Sequence, residues 1–317
     1  MSSPVIGIIG LGIMGDAMAQ VLLAGGHKVT GFDVAPAAKK RFKEAGGKLL
    51  ASAAAVGDAS DIVIVSLATS AALKATVESL ATCKPRDKAR ALVVVETSTL
   101  PLEDKNHARD VLQKAGMPVL DCPISGTGVR IKERAWTIFC SGPKAAYQRV
   151  EATLRAFTDK IPYVGGYGNG TKMKYAANHL VAIYNVACAE SVNLARKMGL
   201  DPQDVVDLFA NSPVLGHGVM RLRMPFMVKR EYLPATMKVE VWQKDMQVIG
   251  DMAKSVDCPT PLFTTCASIY TSAMAQGLDQ HDTASVSEVY AMMAGVPAAS
   301  PKKAAAPAKK PRAKKKA

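Results

Sequence analysis

The sequence predicts an α/β protein in two parts, a doubly wound parallel sheet in the N-terminal half followed by an all-α C-terminal domain. Three observations predict it. Short apolar runs alternate with stretches of helical period up to about residue 165, the rhythm of a parallel sheet covered on both faces. That rhythm stops at Gly165-Gly166. Residues 169–198 then carry no proline and keep a helical apolar period, a span of ~45 Å at 1.5 Å per residue.

Taken in order, Val5–Gly10 is a continuous apolar run ending in glycine, as a strand buried on both faces should be. Met14–Ala24 follows with helical spacing, and Gly25-Gly26 stops it. Lys28–Asp33, Ile62–Leu67 and Ala91–Glu96 are the next strands, with helical stretches near 37–45, 71–80 and 102–115. Met117–Asp121, Trp136–Ser141 and Lys160–Val164 read as later strands. After the long helix, Pro202–Ala210, Lys238–Val256, Pro261–Gln276 and Ser285–Met293 read as helices, punctuated by Gly199, Asn211-Ser212-Pro213 and Cys258-Pro259. These readings divide the chain into 1–166, 167–296 and a tail, 297–317.

The composition suits a folded chain of this length: 317 residues, 49% apolar, 21% charged, 5% aromatic. No run approaches the ~20 uninterrupted apolar residues of a membrane span, and the N-terminus lacks the basic start of a signal peptide. No membrane association and a cytoplasmic location are therefore expected. The six cysteines, at 83, 122, 140, 188, 258 and 266, form no C-x-x-C pair. Free thiols fit that spacing better than a disulfide framework or a zinc site, and no metal is expected. Of the net charge of +13, eight charges lie in residues 301–317, PKKAAAPAKKPRAKKKA, leaving +5 for the rest. Such a tail buries too little apolar surface to fold, so disorder is expected. It is either a solubilising extension or a segment with weak, salt-dependent attraction to polyanions such as DNA or RNA.

Gly10-Leu11-Gly12-Ile13-Met14-Gly15 matches G-x-G-x-x-G between an apolar strand and a helix, the context that lifts this pattern above chance. Gly10 permits the tight turn, Gly12 the approach of a pyrophosphate and Gly15 close helix–strand packing. The helix N-terminus adds free N–H groups for phosphates. The N-terminal half therefore reads as a dinucleotide-binding Rossmann domain. Asp33 ends the second strand, 18 residues after Gly15, where a carboxylate accepts from the adenosine ribose hydroxyls and repels a 2′-phosphate. With no Arg directly after it, Asp33 favours NAD over NADP, although Lys39 and Lys40 stand on the next helix.

Four ordered segments carry a family resemblance. GIIGLGIMGDAMAQVLLAGG (residues 7–26), DCPISGTG (Asp121–Gly128), GNGTKMKYAAN (Gly168–Asn178) and Gln243-Lys244-Asp245-Met246 resemble, in the same order, the dinucleotide, substrate, catalytic and K-D-[LM] segments of the β-hydroxyacid dehydrogenases. That group contains 3-hydroxyisobutyrate dehydrogenase and tartronate semialdehyde reductase, and it is 6-phosphogluconate dehydrogenase-like. The likeness spans roughly residues 5–295. It implies NAD(P)-linked oxidation of a small 3-hydroxy acid, or reduction of the matching semialdehyde, and a homodimer or homotetramer.

Alcohol oxidation needs a hydride acceptor, which a nicotinamide supplies, and a base for the hydroxyl proton. The five histidines are scattered outside these motifs. Lys174 opens the long helix after a glycine-rich approach. Desolvation and a neighbouring cationic nicotinamide would lower its pKa from ~10.4 toward one suited to proton transfer. A helix N-terminus disfavours a cation, so its placement needs a reason. Asn178, at i+4, shares its face and would orient the amine or hold substrate.

The resemblance further implies that Ser125, Gly126 and Thr127 receive the substrate carboxylate and that Lys244 reaches the cofactor or that carboxylate. Thr127 stands where many relatives carry glycine. Leu67 and Thr99 end strands beside the expected cofactor, although Ser98 could serve in place of Thr99. Lys244-Asp245 could equally be a solvated charge pair. Met220, Met224 and Met227 are expected in a core or subunit interface, and Arg221, Arg223, Lys229 and Arg230 on a solvated face. Cys122 lacks a histidine partner for nucleophilic chemistry. Two alternatives remain: a related reductase acting on imines or larger acids, with Lys174 counting against an imine reductase, and a nucleic-acid-associated protein that uses the dehydrogenase domain as a scaffold and the tail for binding.

Overall fold

The computed structural model describes residues 3–84, 91–128 and 131–297. Most of the expected tail, from residue 298, lies outside them. Six parallel strands, β1 (Ile6–Ile9), β2 (Val29–Phe32), β3 (Lys48–Leu49), β4 (Ile62–Val65), β5 (Val93–Glu96) and β6 (Val119–Asp121), form one sheet in the order β3-β2-β1-β4-β5-β6. Successive residues of a strand face opposite sides, and the core divides accordingly. Ile6, Ile8, Ile62, Ile64, Val93 and Val95 pack with helices α1 (Ile13–Ala24), α2 (Pro36–Glu44) and α6 (Lys144–Leu154). Ile9, Val63, Val65 and Val94 pack with α3 (Ala53–Ala59), α4 (Ser70–Leu80) and α5 (Leu102–Lys114). Burial on both faces explains why these strands read as unbroken β-branched runs. The chain reverses its direction of sheet growth between β1 and β4, the crevice where open α/β sheets bind ligands.

Two of the expected strands do not continue this sheet in parallel; only Ser141 meets it, in a single antiparallel bridge to Asp121 of β6. Thr137–Ile138 (β8) pairs antiparallel with Ile124–Ser125 (β7). From 160–164 only Tyr163 makes a bridge, to Cys140. A parallel neighbour needs a long crossover, whereas the chain turns back within residues 122–136 through Pro123, Gly126 and Gly128. Pro162 offers no N–H to a ladder.

The long helix is α7 (Asn169–Lys197). Around it pack α8 (Pro202–Phe209), α9 (Gly218–Lys229), α10 (Val239–Ser255), α11 (Pro261–Ala275) and α12 (Val286–Met293). Helix α9 bears out the expectation of a solvated basic face for Arg221 and Lys229, which are exposed, and corrects it for Arg223. It lies against α7, so Met224 and Met227 are fully buried. The same packing takes Arg223 inward, onto Asp282 and, at 2.7 Å, Thr236 Oγ1. Arg230 pairs with Glu288, and Arg221 donates to the Ala210 carbonyl at 3.0 Å. No helix among the described residues is long and apolar enough to cross a membrane.

Candidate active site

The β1–α1 turn has the shape of a phosphate cradle. Gly10 adopts φ +89°, and a Cβ there would stand 2.1 Å from the Ser66 carbonyl. A Cβ on Gly15 would meet the Gly10 carbonyl at 1.8 Å. Both glycines are required by the chain's own packing. Gly12 is different: a Cβ there meets nothing within 4 Å. It is the N-cap of α1, with no side chain capping the helix, so open space faces unpaired N–H groups, as a pyrophosphate requires. Leu11 is buried, Met14 packs against the core and Ile13 is exposed, so this loop offers mainly backbone.

Asp33 is held at the end of β2 by two amides, Leu11 N–H to Oδ2 at 2.6 Å and Ala35 N–H to Oδ1 at 2.7 Å. Arg41, which the sequence reading passed over, brings its guanidinium within 3.5 Å of the Leu11 carbonyl. Eight residues after Asp33 and in the second turn of α2, it had no local signal. Leu67 borders the same turn: a Cβ on Gly10 would be 3.0 Å from its Cδ2.

The expected substrate segment lies beside this cradle. A Cβ on Gly128 would stand 2.7 Å from Ile13 Cγ2. Gly126 is tight against Trp136, whose Nε1 donates to the Thr127 carbonyl at 2.8 Å. Ser125 ends β7, half-buried, and Thr127 Oγ1 is buried with no hydrogen-bond partner among the described residues. Cys122 lies 3.4 Å from Cys140, thiol to thiol.

The first turn of helix α7 packs closely against the end of β6 because Gly170 has no side chain; a Cβ would meet the Phe139 and Asp121 carbonyls at 2.4 and 2.7 Å. Thr171 then anchors the first turn on Asp121, its N–H at 2.8 Å and its hydroxyl at 2.7 Å. Lys174 follows one turn later and is buried. Burial pushes its pKa down to about 8; Asp245 opposes the fall and Lys244 adds to it. Asn178 donates to Asp245 Oδ2 at 2.8 Å. Asp245, 5% exposed, belongs to this cluster and is not half of a solvated pair. Its other oxygen lies 3.3 Å from Lys244 Nζ, which also donates to the Thr99 carbonyl.

The loop after β5 meets three side chains in succession. Lys105 donates to the Ser98 carbonyl at 2.9 Å, Lys244 to that of Thr99, and Tyr175 to that of Leu100 at 2.5 Å. Ser98 is buried and its hydroxyl accepts from Leu67 N–H at 2.9 Å. Thr99, by contrast, is half-buried. A cleft of about 470 Å³ opens here, lined by Thr69, Leu100, Glu103, Tyr175, Lys244 and Gln247 among others.

A family model described as the NAD binding domain of 6-phosphogluconate dehydrogenase matches residues 5–165, half of the chain. The chain belongs to the β-hydroxyacid dehydrogenase family. A second model, for the NAD-binding region of NADP-dependent 3-hydroxyisobutyrate dehydrogenase, matches residues 168–290 of this family member. An L-threonate dehydrogenase of Cupriavidus necator is 30% identical over 90% of this chain and 95% of its own. A 2-hydroxy-3-oxopropionate reductase of Escherichia coli is 29% identical over 91% and 98%. Among solved structures, a 3-hydroxyisobutyrate dehydrogenase of Salmonella typhimurium superposes with a TM-score of 0.80 at 25% identity, covering 90% of this chain and all of that one. This β-hydroxyacid dehydrogenase is accordingly an NAD(P)-dependent enzyme, and its open Gly12 cradle and Asp33 fit that cofactor. The nucleic-acid alternative finds no support in these matches.

Proposed function

We propose that the enzyme interconverts a small 3-hydroxy acid and its semialdehyde with Lys174 as general acid/base. The carrying observation is a buried lysine whose pKa is pushed down to about 8, one helical turn from Asn178 and beside Asp245 and Lys244. Bound NAD(P) supplies the hydride acceptor. In the oxidation direction neutral Lys174 Nζ takes the hydroxyl proton as the carbon loses hydride; in reduction the ammonium returns it to the carbonyl oxygen. Ser125, with Gly126 and Thr127, receives the carboxylate, while Asn178 aligns the reacting oxygen. Gly10–Gly15, Asp33, Leu67, Thr99 and Lys244 hold the cofactor.

Asp33 supports a preference for NAD; the Arg41 guanidinium at the same corner supports some use of NADP. The relatives' names make L-threonate, glycerate and 3-hydroxyisobutyrate the first substrates to try. Exposed Leu180, Leu194, Met198 and Leu262 on the helical half support a homodimer or homotetramer, and six free thiols suit the cytoplasm.

The test is NADH and NADPH formation with these acids and 3-hydroxypropionate, wild type beside Lys174→Ala. Lysine-dependent turnover of one acid is expected, with the variant still binding NADH. Near-normal turnover by Lys174→Ala would remove it from the mechanism.

A further inference from the structure

We infer that Lys105 is a positioning residue for this reaction: by holding the Ser98 carbonyl and the Thr171 hydroxyl together, it fixes the spacing between the cofactor-side loop and the helix that carries Lys174. The inference rests on Lys174 being the acid/base.

Lys105 sits in the first turn of α5 and is fully buried. A cation is disfavoured there twice over, by the helix dipole and by desolvation. An apolar side chain would fill the space at less cost, so the amine needs another reason. Its three protons reach three different elements: Ser98 O at 2.9 Å after β5, Asp121 Oδ1 at 2.6 Å at the end of β6, and Thr171 Oγ1 at 2.8 Å on α7. Glu96 Oε2 completes the shell as an ion partner at 2.7 Å. Burial alone would lower the Lys105 pKa, but Asp121 and Glu96 together raise it above its ordinary value, so the group stays charged. Tyr167, just before α7, adds a bond of 2.9 Å to the Lys105 carbonyl. Charge balance does not explain this layout, because the cluster keeps two carboxylates against one amine.

The two segments so joined carry the chemistry. Ser98 precedes Thr99, and Thr171 lies three residues before Lys174 on the same helix. A displacement of about 1 Å between such groups can cost about 100-fold in rate.

The decisive variant is Lys105→Met/Glu96→Gln in the full chain, which removes one charge of each sign and leaves the cluster's net charge unchanged. Lys105→Met alone strands two buried carboxylates, so it serves only as a stability control. The double variant is expected to melt near the wild type and to bind NADH. Its kcat, with whichever of L-threonate or 3-hydroxyisobutyrate the wild type oxidises, should fall about 100-fold with little change in KM. Amide exchange in 97–101 and 169–175 should quicken together by about tenfold or more, with α11 unchanged. Wild-type turnover and exchange in the folded double variant would overturn the inference. So would lost turnover without faster exchange in both segments, since Lys105 would then act through charge alone. If the wild type oxidises neither acid, the exchange result decides. Loss of the Lys174 assignment would show separately, as turnover surviving Lys174→Ala.

Discussion

The Asn178 side-chain amide donates to Asp245 Oδ2 at 2.8 Å. A carboxylate only accepts, so the amide nitrogen must face Asp245 and the amide oxygen must turn away from it. Asp245 thus fixes which end of Asn178 points away from it, the end that the proposed mechanism turns to a substrate hydroxyl or to Lys174. Asp245→Asn can donate as well as accept, which frees Asn178 to flip. It also removes the charge that holds the Lys174 pKa up. The variant should lose roughly 100-fold in kcat, and the rise of its oxidation rate with pH should begin at lower pH than in wild type. An unshifted pH profile would separate Asp245 from Lys174.

The wild-type pH profile follows from the Lys174 pKa of about 8. Oxidation requires the neutral amine, so kcat/KM for a hydroxy acid should climb through about pH 8 and level off above it. Reduction requires the ammonium and should fall through the same range. Stability carries the same sign. The folded pKa lies below the unfolded 10.5, so burial of Lys174 costs most below pH 8 and the cost fades as pH rises toward 10.5. Lys174→Met should therefore be more stable than wild type at pH 7, by roughly 1 to 3 kcal/mol, and equal to it near pH 10.5. Chemical denaturation at the two pH values checks this.

The dinucleotide glycines should separate folding from binding. Gly15→Ala places a methyl against the Gly10 carbonyl and should cost roughly 3 kcal/mol or more. Gly12→Ala meets nothing in the protein; it should melt as wild type does and bind NADH far more weakly. Calorimetric melting and NADH fluorescence titration measure the two effects. A Gly12→Ala protein that binds NADH normally would mean that the open space is not the phosphate seat.

Much of this arrangement was legible in the sequence because it depends on local spacing. The G-x-G-x-x-G turn, the buried strand runs and the long proline-free helix announce themselves within one segment. The Lys105 cluster does not. Lys105, Glu96, Asp121 and Thr171 lie on four elements, and each alone resembles an ordinary surface or cap residue. Only the parallel order of β5 and β6, with α7 laid across their ends, brings them together. Arg223 misled for the same reason: its partner Asp282 lies 59 positions away. The strand expected at 136–141 formed in part, as β8 paired antiparallel with β7, and 160–164 gave a single bridge, since apolar alternation reports burial but not which neighbour a strand will find.

The loop at residues 98–100 is held by three donors, from α5, α7 and α10, and every acceptor is a backbone carbonyl. Carbonyls are common to all residues, so the two sides of this joint tolerate change unequally. As far as the joint is concerned, Leu100 could become almost any residue without loss of a bond, whereas Lys105, Tyr175 and Lys244 each have few substitutes. A helical half grafted from a relative onto this sheet would therefore need to bring its own matched tyrosine and lysine, and could ignore what the loop spells.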